Sequence, residues 1–251
     1  MDSNGLRIGL VTPVLNNFKG YCQLIGSLRG RLIHPIIVPN WAQNRGVAPA
    51  WNWGIKKAFE LGCSHVLVTN DDIVISKELP DILAARLTKS MFEGDNVILA
   101  SGRNVRGNPA FDGTMEGLEA MRPPADYAGE VEGDSPDFSC FMVTPRTIQE
   151  IGWFDQNFRP AYFEDNDYHY RIHLAGFKTA NMAHAPIYHV GSQTQNNPAN
   201  KGPVVTGQMF DANRQYYRAK WGGNPGEEKF KTPFNNHQSF KDWFPEDRQG
   251  Y

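Results

Sequence analysis

The stretch Ser64-His65-Val66-Leu67-Val68-Thr69-Asn70-Asp71-Asp72-Ile73-Val74-Ile75 decides the fold. Val66-Leu67-Val68 is a short β-branched and apolar run that reads as a buried strand. Asn70, Asp71 and Asp72 follow it with no spacer. Two adjacent carboxylates repel each other, so keeping both ionised needs solvent, a cation, or both. In open α/β sheets, ligands sit just beyond the carboxyl ends of strands. One reading of the pair is therefore a site for a hard divalent cation, which takes oxygen ligands and keeps phosphate oxygens in its shell. The other is a plain turn, because Asn-Asp-Asp is good turn chemistry.

On the N-terminal side, Leu6 to Val11 reads as a strand that Pro13 stops, since proline cannot donate to a ladder. Tyr21 to Leu32 carries apolar residues at helical spacing. Pro35 to Val38 is a second strand, halted by Pro39-Asn40, and Ala48 to Leu61 is a helix with Gly62 as its stop. Strand, helix, strand, helix, strand in about 70 residues is the pattern of a parallel, doubly wound sheet.

On the C-terminal side, Leu79 to Phe92 reads as a helix and Val97 to Ala100 as a strand. Ser101 to Pro136 is Gly/Pro-rich and yields no regular structure, which marks a functional or a disordered loop. Phe138 to Val143 is a strand, and Pro145 opens a short helix to Ile151. Next come Gly152-Trp153-Phe154-Asp155 and Tyr162-Phe163-Glu164-Asp165-Asn166-Asp167, then a helix from Tyr168 to Leu174 ended by Gly176. Asp165 falls at or near that helix start, where capping is the bland role of an aspartate. Glu164, Asp165 and Asp167 together exceed what a cap needs. Lys178 to Met182 and Pro186 to His189 read as short extended segments, and Met209 to Trp221 as an amphipathic helix ended by Gly222-Gly223. The expected organisation is one domain over residues 1–222, with residues 223–251 as an arm packed on it.

The 251 residues are 40% hydrophobic and 21% charged, enough apolar chain for a core without disulfide or metal staples. A net charge of −2 with no long basic run argues against a nucleic-acid partner. Cys22, Cys63 and Cys140 are odd in number and widely spaced, which fits reduced thiols in an intracellular protein. No apolar run approaches the roughly 20 residues of a membrane span, and Met1-Asp2-Ser3-Asn4-Gly5 lacks the features of a signal peptide. The expectation is a cytoplasmic protein without a transmembrane segment.

Several segments together resemble the family 2 inverting glycosyltransferases of the GT-A fold, from Leu6 to Trp221. Val11-Thr12-Pro13-Val14-Leu15-Asn16 is similar to the family's first nucleotide-binding loop. Asn44-Arg45-Gly46 with Ala50-Trp51-Asn52-Trp53-Gly54-Ile55 is similar to its N-x-G and A-x-N-x-G-I run. Asn70-Asp71-Asp72 stands at the place of the metal-binding D-x-D motif. Gly152-Trp153-Phe154-Asp155, Phe163-Glu164-Asp165-Asn166-Asp167, Arg171 and Ala175-Gly176-Phe177 match a long G-x-F-D, E-D-x-D, R, A-G-F block. Tyr188-His189-Val190-Gly191-Ser192 looks like the C-terminal histidine motif. The chain departs from the pattern at Pro39-Asn40, where many members carry an aspartate, and at Asp137-Phe138-Ser139, where a small Gly/Ala-rich loop is usual.

The resemblance implies an α/β fold of GT-A type, with a Rossmann-like, mostly parallel central sheet and helices on both faces. It implies a metal-dependent hexosyl- or deoxyhexosyl-transferase moving sugar, with inversion, from a nucleoside-diphosphate sugar to a glycan or lipid-linked hydroxyl. It makes Asp72 and His189 the ligands of Mn²⁺ or Mg²⁺, with His184 a competitor that lacks the motif. Thr12, Pro13, Asn40, Asn52, Asn70 and Asp71 are then donor contacts. Asp165 is the general base and Glu164 orients acceptor or donor. A base must lie within about 3 Å of the hydroxyl it deprotonates. Glu164 and Asp167 are expected to raise the proton affinity of Asp165 by like-charge repulsion. Ser192 to Gly207, with Lys201, is a candidate lid over the diphosphate. Trp153 and Tyr162 flank the acidic cluster as candidate platforms for an acceptor sugar. The alternatives are a catalytically weak relative that binds a sugar nucleotide or glycan, and a nucleotidyltransferase. The latter would need a Gly-rich pyrophosphate loop that Thr12-Pro13-Val14-Leu15-Asn16 is not.

Overall fold

Three β-branched or apolar strands from the N-terminal half build the parallel part of the sheet. They are β1 (Ile8–Val14), β2 (Ile33–Pro39) and β3 (His65–Thr69), with β1 in the middle, paired in parallel to both others. The computed structural model describes residues 6–28, 33–41, 43–124, 130–132, 135–191, 193–198, 204–241 and 243. The crossovers between these strands are α1 (Phe18–Ser27) and α2 (Val47–Glu60). Asn17 opens α1 by accepting from the Gly20 N–H, which places its start three residues ahead of the expected Tyr21.

Pro13 does not end β1. Pairing with β3 stops at Val11, while pairing with β2 continues to Val14. Val14 O accepts from Asn40 N on the β2 side, so the nitrogen of Pro13 faces the side where no ladder remains.

The rest of the sheet comes from β4 (Ile73–Ile75), β5 (Val97–Asn104), β6 (Glu130–Glu132), β7 (Cys140–Val143) and β8 (Lys178–His189). The order is β2-β1-β3-β7-β5-β8-β4, with β6 also on β8. The α/β class holds, with helices against a central sheet. The sheet is mixed rather than mostly parallel, because β7 enters antiparallel to β3 and β5, and β4 and β6 run antiparallel to β8. The two short segments expected at 178–182 and 186–189 are one strand, β8, whose pairing with β5 shifts register between Gly102 and Arg103.

Helices cover both faces. Trp51 and Ile55 of α2 pack with Val66, Val68, Phe141, Phe154 and Tyr168 on one face. Leu24 of α1 and Leu79, Leu83 and Leu87 of α3 (Leu79–Glu93) pack with Leu10, Leu67, Met142 and Ile187 on the other. The segment expected to lack regular structure contains the end of β5, the short α4 (Met115–Ala120) and β6. After α5 (Pro145–Ile151) come α6 (Glu164–Leu174) and α7 (Gly207–Trp221), joined by an apolar cluster of Phe158, Phe163, Tyr217 and Trp221. Tyr170 of α6 donates to Phe230 O, which ties the residues after α7 to that helix.

Candidate active site

β3 ends at Thr69, and the chain turns at once through Asn70, Asp71 and Asp72 into β4. The antiparallel pairing of β4 with β8 matches Ile73 to His189, so the sheet itself carries His189 to Asp72. Asp72 Oδ1 lies 3.0 Å from His189 Nε2, and Asn70 Nδ2 lies 3.4 Å from the same nitrogen. The Gln193 N–H donates to Asp72 Oδ2 at 3.2 Å. Burial acts to raise the Asp72 pKa. The His189 hydrogen bond and charge, with the Gln193 N–H, outweigh it and hold the carboxyl below the usual range. Asp71 goes the other way. Its Oδ1 accepts from Thr194 Oγ1 at 3.2 Å, but Oδ2 is buried with no hydrogen-bond partner. Burial first, then the charge of Asp72, push its pKa up to about 6.

The second acidic group is carried by α6. Tyr162 (φ 80°) and Phe163 (φ 75°) both sit in left-handed backbone ahead of it, a costly conformation for residues with a Cβ. This turn delivers Glu164 and Asp165 as the first residues of the helix, with Phe163 at the N-cap position. Asp165 is therefore not the cap. Glu164 is 5% exposed and its Oε2 has no partner. Burial, then the adjacent Asp165, raise its pKa well above the carboxylate range. The pKa of half-buried Asp165 is also raised, by burial first. The Asn166 N–H donating to Oδ1 opposes this, and the charge of Asp137 adds to it.

Asp167, expected to supply that repulsion, faces away from the site. It is fully buried between Arg171, Lys220 and Trp221. Arg171 Nε donates to Oδ2 at 2.9 Å, and Lys220 Nζ and Trp221 Nε1 donate to Oδ1 at 2.5 and 2.8 Å. Lys220 also donates to Asp155 Oδ2 at 2.9 Å. Two carboxylates thus meet two cations in a sealed network that pins α7 to α6. Burial would raise the Asp167 pKa, but Lys220 and Arg171 pull it below the ordinary value. Trp153, also expected near an acceptor, offers its carbonyl to Arg171 Nη2 and packs half-buried against the core.

One cavity of about 800 Å³ is lined by Pro13, Asn40, Asn70, Asp71, Asp72, Glu164, Asp165 and His189. Thr12 and Asn52 are corrections to the expected donor set. Thr12 Oγ1 pairs with Thr69 Oγ1 at 2.9 Å inside the sheet. Asn52 donates to Phe154 O at 2.8 Å and accepts from Phe154 N at 3.0 Å. Its motif position ties α2 to the Gly152-Trp153-Phe154-Asp155 segment, and neither side chain lines the cavity.

The cavity also holds residues that sequence reasoning missed. Asp137, Asn181, Arg103 and Arg106 all line it; the charge of Asp137 reaches Asp165, and Arg106 lies against Gly191. Only the departure at Asp137-Phe138-Ser139 gave a signal for any of them. Asn40 Oδ1, Trp51 Nε1, Asp71 Oδ2, Glu164 Oε2 and Asn181 Oδ1 are buried, lack partners, and belong to lining residues. Each such atom costs about 1–3 kcal/mol when left unmet, and their convergence on one cavity points to a polar ligand. Of the expected lid, Thr194, Gln195, Val204 and Val205 line the cavity, and Gln195 clasps both backbone groups of Val205. Ser192 and Lys201 lie outside the described residues.

No cluster of three His, Cys, Asp or Glu side chains able to hold a metal is found among the described residues. Asp72 and His189 meet each other at 3.0 Å, and a carboxylate and an imidazole are both groups a divalent cation can take as ligands. Two such side chains fit only a cation that takes its other ligands from phosphate and water. No helix among the described residues is long and apolar enough to cross a membrane.

The fold is that of the GT-A glycosyltransferases. The chain aligns with GalNAc-T7 bound to UDP, GalNAc and Mn²⁺ at a TM-score of 0.57 and 12% identity, over 87% of this chain and 51% of that one. It aligns with the catalytic domain of Drosophila β1,4-galactosyltransferase 7 in complex with xylobiose at a TM-score of 0.50 and 12% identity, over 93% and 84%. By sequence it is similar to a galactofuranosyl glycosyltransferase of Leishmania donovani, 25% identical over 245 residues. That match covers 79% of this chain and 56% of the relative's length. No protein-family model matches the chain.

Proposed function

We propose that this chain is a metal-dependent glycosyltransferase that moves a sugar, with inversion, from a nucleoside-diphosphate sugar to a hydroxyl of a glycan or glycolipid. The observation that carries the proposal is the meeting of two acidic groups in one cavity. Asp71, Asp72 and His189 stand at one wall, and Glu164 and Asp165 enter from α6. The first suits a diphosphate with its cation, and the second suits a hydroxyl that must lose a proton. The GT-A fold, and a relative named for galactofuranosyl transfer, support the reading and make galactofuranose the first sugar to try.

In this mechanism Asp165 takes the proton of the acceptor hydroxyl. The freed oxygen forms its bond to the anomeric carbon from the face opposite the diphosphate, whose C–O bond breaks with the electron pair leaving on the phosphate oxygen. The raised pKa of Asp165 makes it a stronger base than an ordinary carboxylate. Asp72 and His189 would hold Mn²⁺ or Mg²⁺, with Asp71 next to Asp72 in the chain. When bound, the cation supplies positive charge to the departing diphosphate. Glu164, buried and with Oε2 unmet, donates to or accepts from a sugar hydroxyl according to its protonation. Tyr162, half-exposed at the cavity, offers its ring face to the acceptor.

The test is slow donor hydrolysis by purified protein given UDP-sugars. Turnover that requires Mn²⁺ and disappears in Asp165→Asn is expected. Donor binding with no turnover in any acceptor mixture would move the protein to the binding class instead.

A further inference from the structure

We infer that Arg106 is a diphosphate-binding residue, a second cation set beside the metal position to take the charge of the leaving group. The inference rests on the donor reading above. Its starting point is charge. Asp71 and Asp72 bring two negative charges to the wall where a diphosphate must sit, and a divalent cation only balances them. The diphosphate brings its own negative charges, which then need a further cation. A guanidinium stays charged at every working pH and grips phosphate oxygens through paired N–H groups.

The geometry holds Arg106 at that position. Asn104 Oδ1 accepts from Arg106 N at 3.0 Å and from His189 N at 3.4 Å, so one side chain fixes the arginine's backbone to the strand of the metal ligand. Val105 N donates to Ile187 O on the same strand. The guanidinium lies over buried Gly191, where an added Cβ would stand 2.0 Å from Arg106 Nη1. Gly191 also has φ +77°, so a side chain there is disfavoured by backbone as well as by space. The glycine between His189 and Gln193, both bonded to Asp72, thus leaves room for the arginine. Arg106 lines the cavity with its side chain exposed, and among the described residues it has no recorded ion pair with an acid. Arg103 also lines the cavity, from β5 opposite Pro186 of β8, but Arg106 is the arginine whose guanidinium lies against Gly191.

The experiment is calorimetric titration of wild type, Arg106→Gln and Arg106→Lys with UDP, GDP, dTDP and CDP in Mn²⁺, and with the nucleoside of whichever binds. Losing a charged hydrogen-bonding partner should weaken the diphosphate at least about tenfold in R106Q and leave the nucleoside unchanged. R106K should fall between, and the salt dependence of diphosphate binding should be shallower in R106Q. Equal diphosphate affinity in wild type and R106Q overturns this inference alone. So does an equal loss of diphosphate and nucleoside, which marks a general disturbance of the cavity. Absence of binding by wild type to every nucleoside diphosphate overturns it together with the donor reading.

Discussion

Asp72 and His189 are 117 positions apart in the chain and 3.0 Å apart in space. The contact follows from one register, Ile73 opposite His189, in the short antiparallel ladder of β4 and β8. Asp72 is 6% exposed at its side chain and His189 22%, so the pair is open on the imidazole side. Asp72→Asn and His189→Ala should each abolish Mn²⁺-dependent nucleotide binding while leaving the circular dichroism spectrum native. Equilibrium dialysis against Mn²⁺ with the nucleotide present checks this.

As the proposed base, Asp165 should set the acid limb of the pH profile. Its pKa is raised, so the proton stays on to a higher pH than on an ordinary carboxylate. The rate constant kcat/KM should therefore rise with pH through a midpoint above the usual aspartate range of about 4. Asp165→Asn should lower kcat by about 10²–10⁴ with donor affinity retained. A profile with its acid limb at an ordinary carboxylate value would contradict the assignment.

Glu164 makes the opposite kind of prediction, about stability. Its folded-state pKa lies above the unfolded value, so the folded protein binds more protons in the interval between them. Stability from this group is complete below the unfolded pKa and is lost as pH rises through the folded one. Glu164→Gln removes that loss. Its melting temperature should exceed wild type at pH 8, with a smaller gap at pH 5. Scanning calorimetry at the two pH values measures the difference.

Lys220 is fully buried between Asp155 and Asp167. Removing one partner of such a network leaves buried charge uncompensated and costs about 3–5 kcal/mol. Lys220→Met should destabilise by about that amount, measured by urea unfolding.

Asn52 separates a structural role from a binding one. Its side chain is spent on both backbone groups of Phe154. Asn52→Ala leaves those buried groups unmet and should cost about 1–3 kcal/mol of stability, read from the urea midpoint. The donor dissociation constant of the folded variant should not change.

The parts legible in sequence were those with local periodicity or dense chemistry. The β1–α1–β2–α2–β3 unit shows itself because each element carries its own apolar pattern and its own stop. Asp72, Glu164, Asp165 and His189 were legible as residues of unusual density or through resemblance. The mixed sheet was not, because the antiparallel entry of β7 depends on partners distant in sequence and leaves no mark on Cys140–Val143. Asn52 was misread because a motif supplies a residue type and not the direction it faces. Asp167 was misread for the same reason: on α6 it points to Lys220, while Glu164 and Asp165 point to the cavity. Arg106 lay hidden in a Gly/Pro-rich stretch without periodicity, and its place comes from long-range contacts: the Asn104 link to His189 and the approach to Gly191.

The central claim is that Asp71, Asp72 and His189 form the diphosphate end of a sugar-nucleotide site. Thermal-shift measurement against UDP, GDP, dTDP and CMP, each with and without Mn²⁺, tests it most directly, because a ligand of the native state must raise the melting temperature by mass action. The expected result is a shift with one nucleotide only, present only with metal and lost in Asp72→Ala. No shift with any nucleotide, or one that survives Asp72→Ala unchanged, would contradict the account.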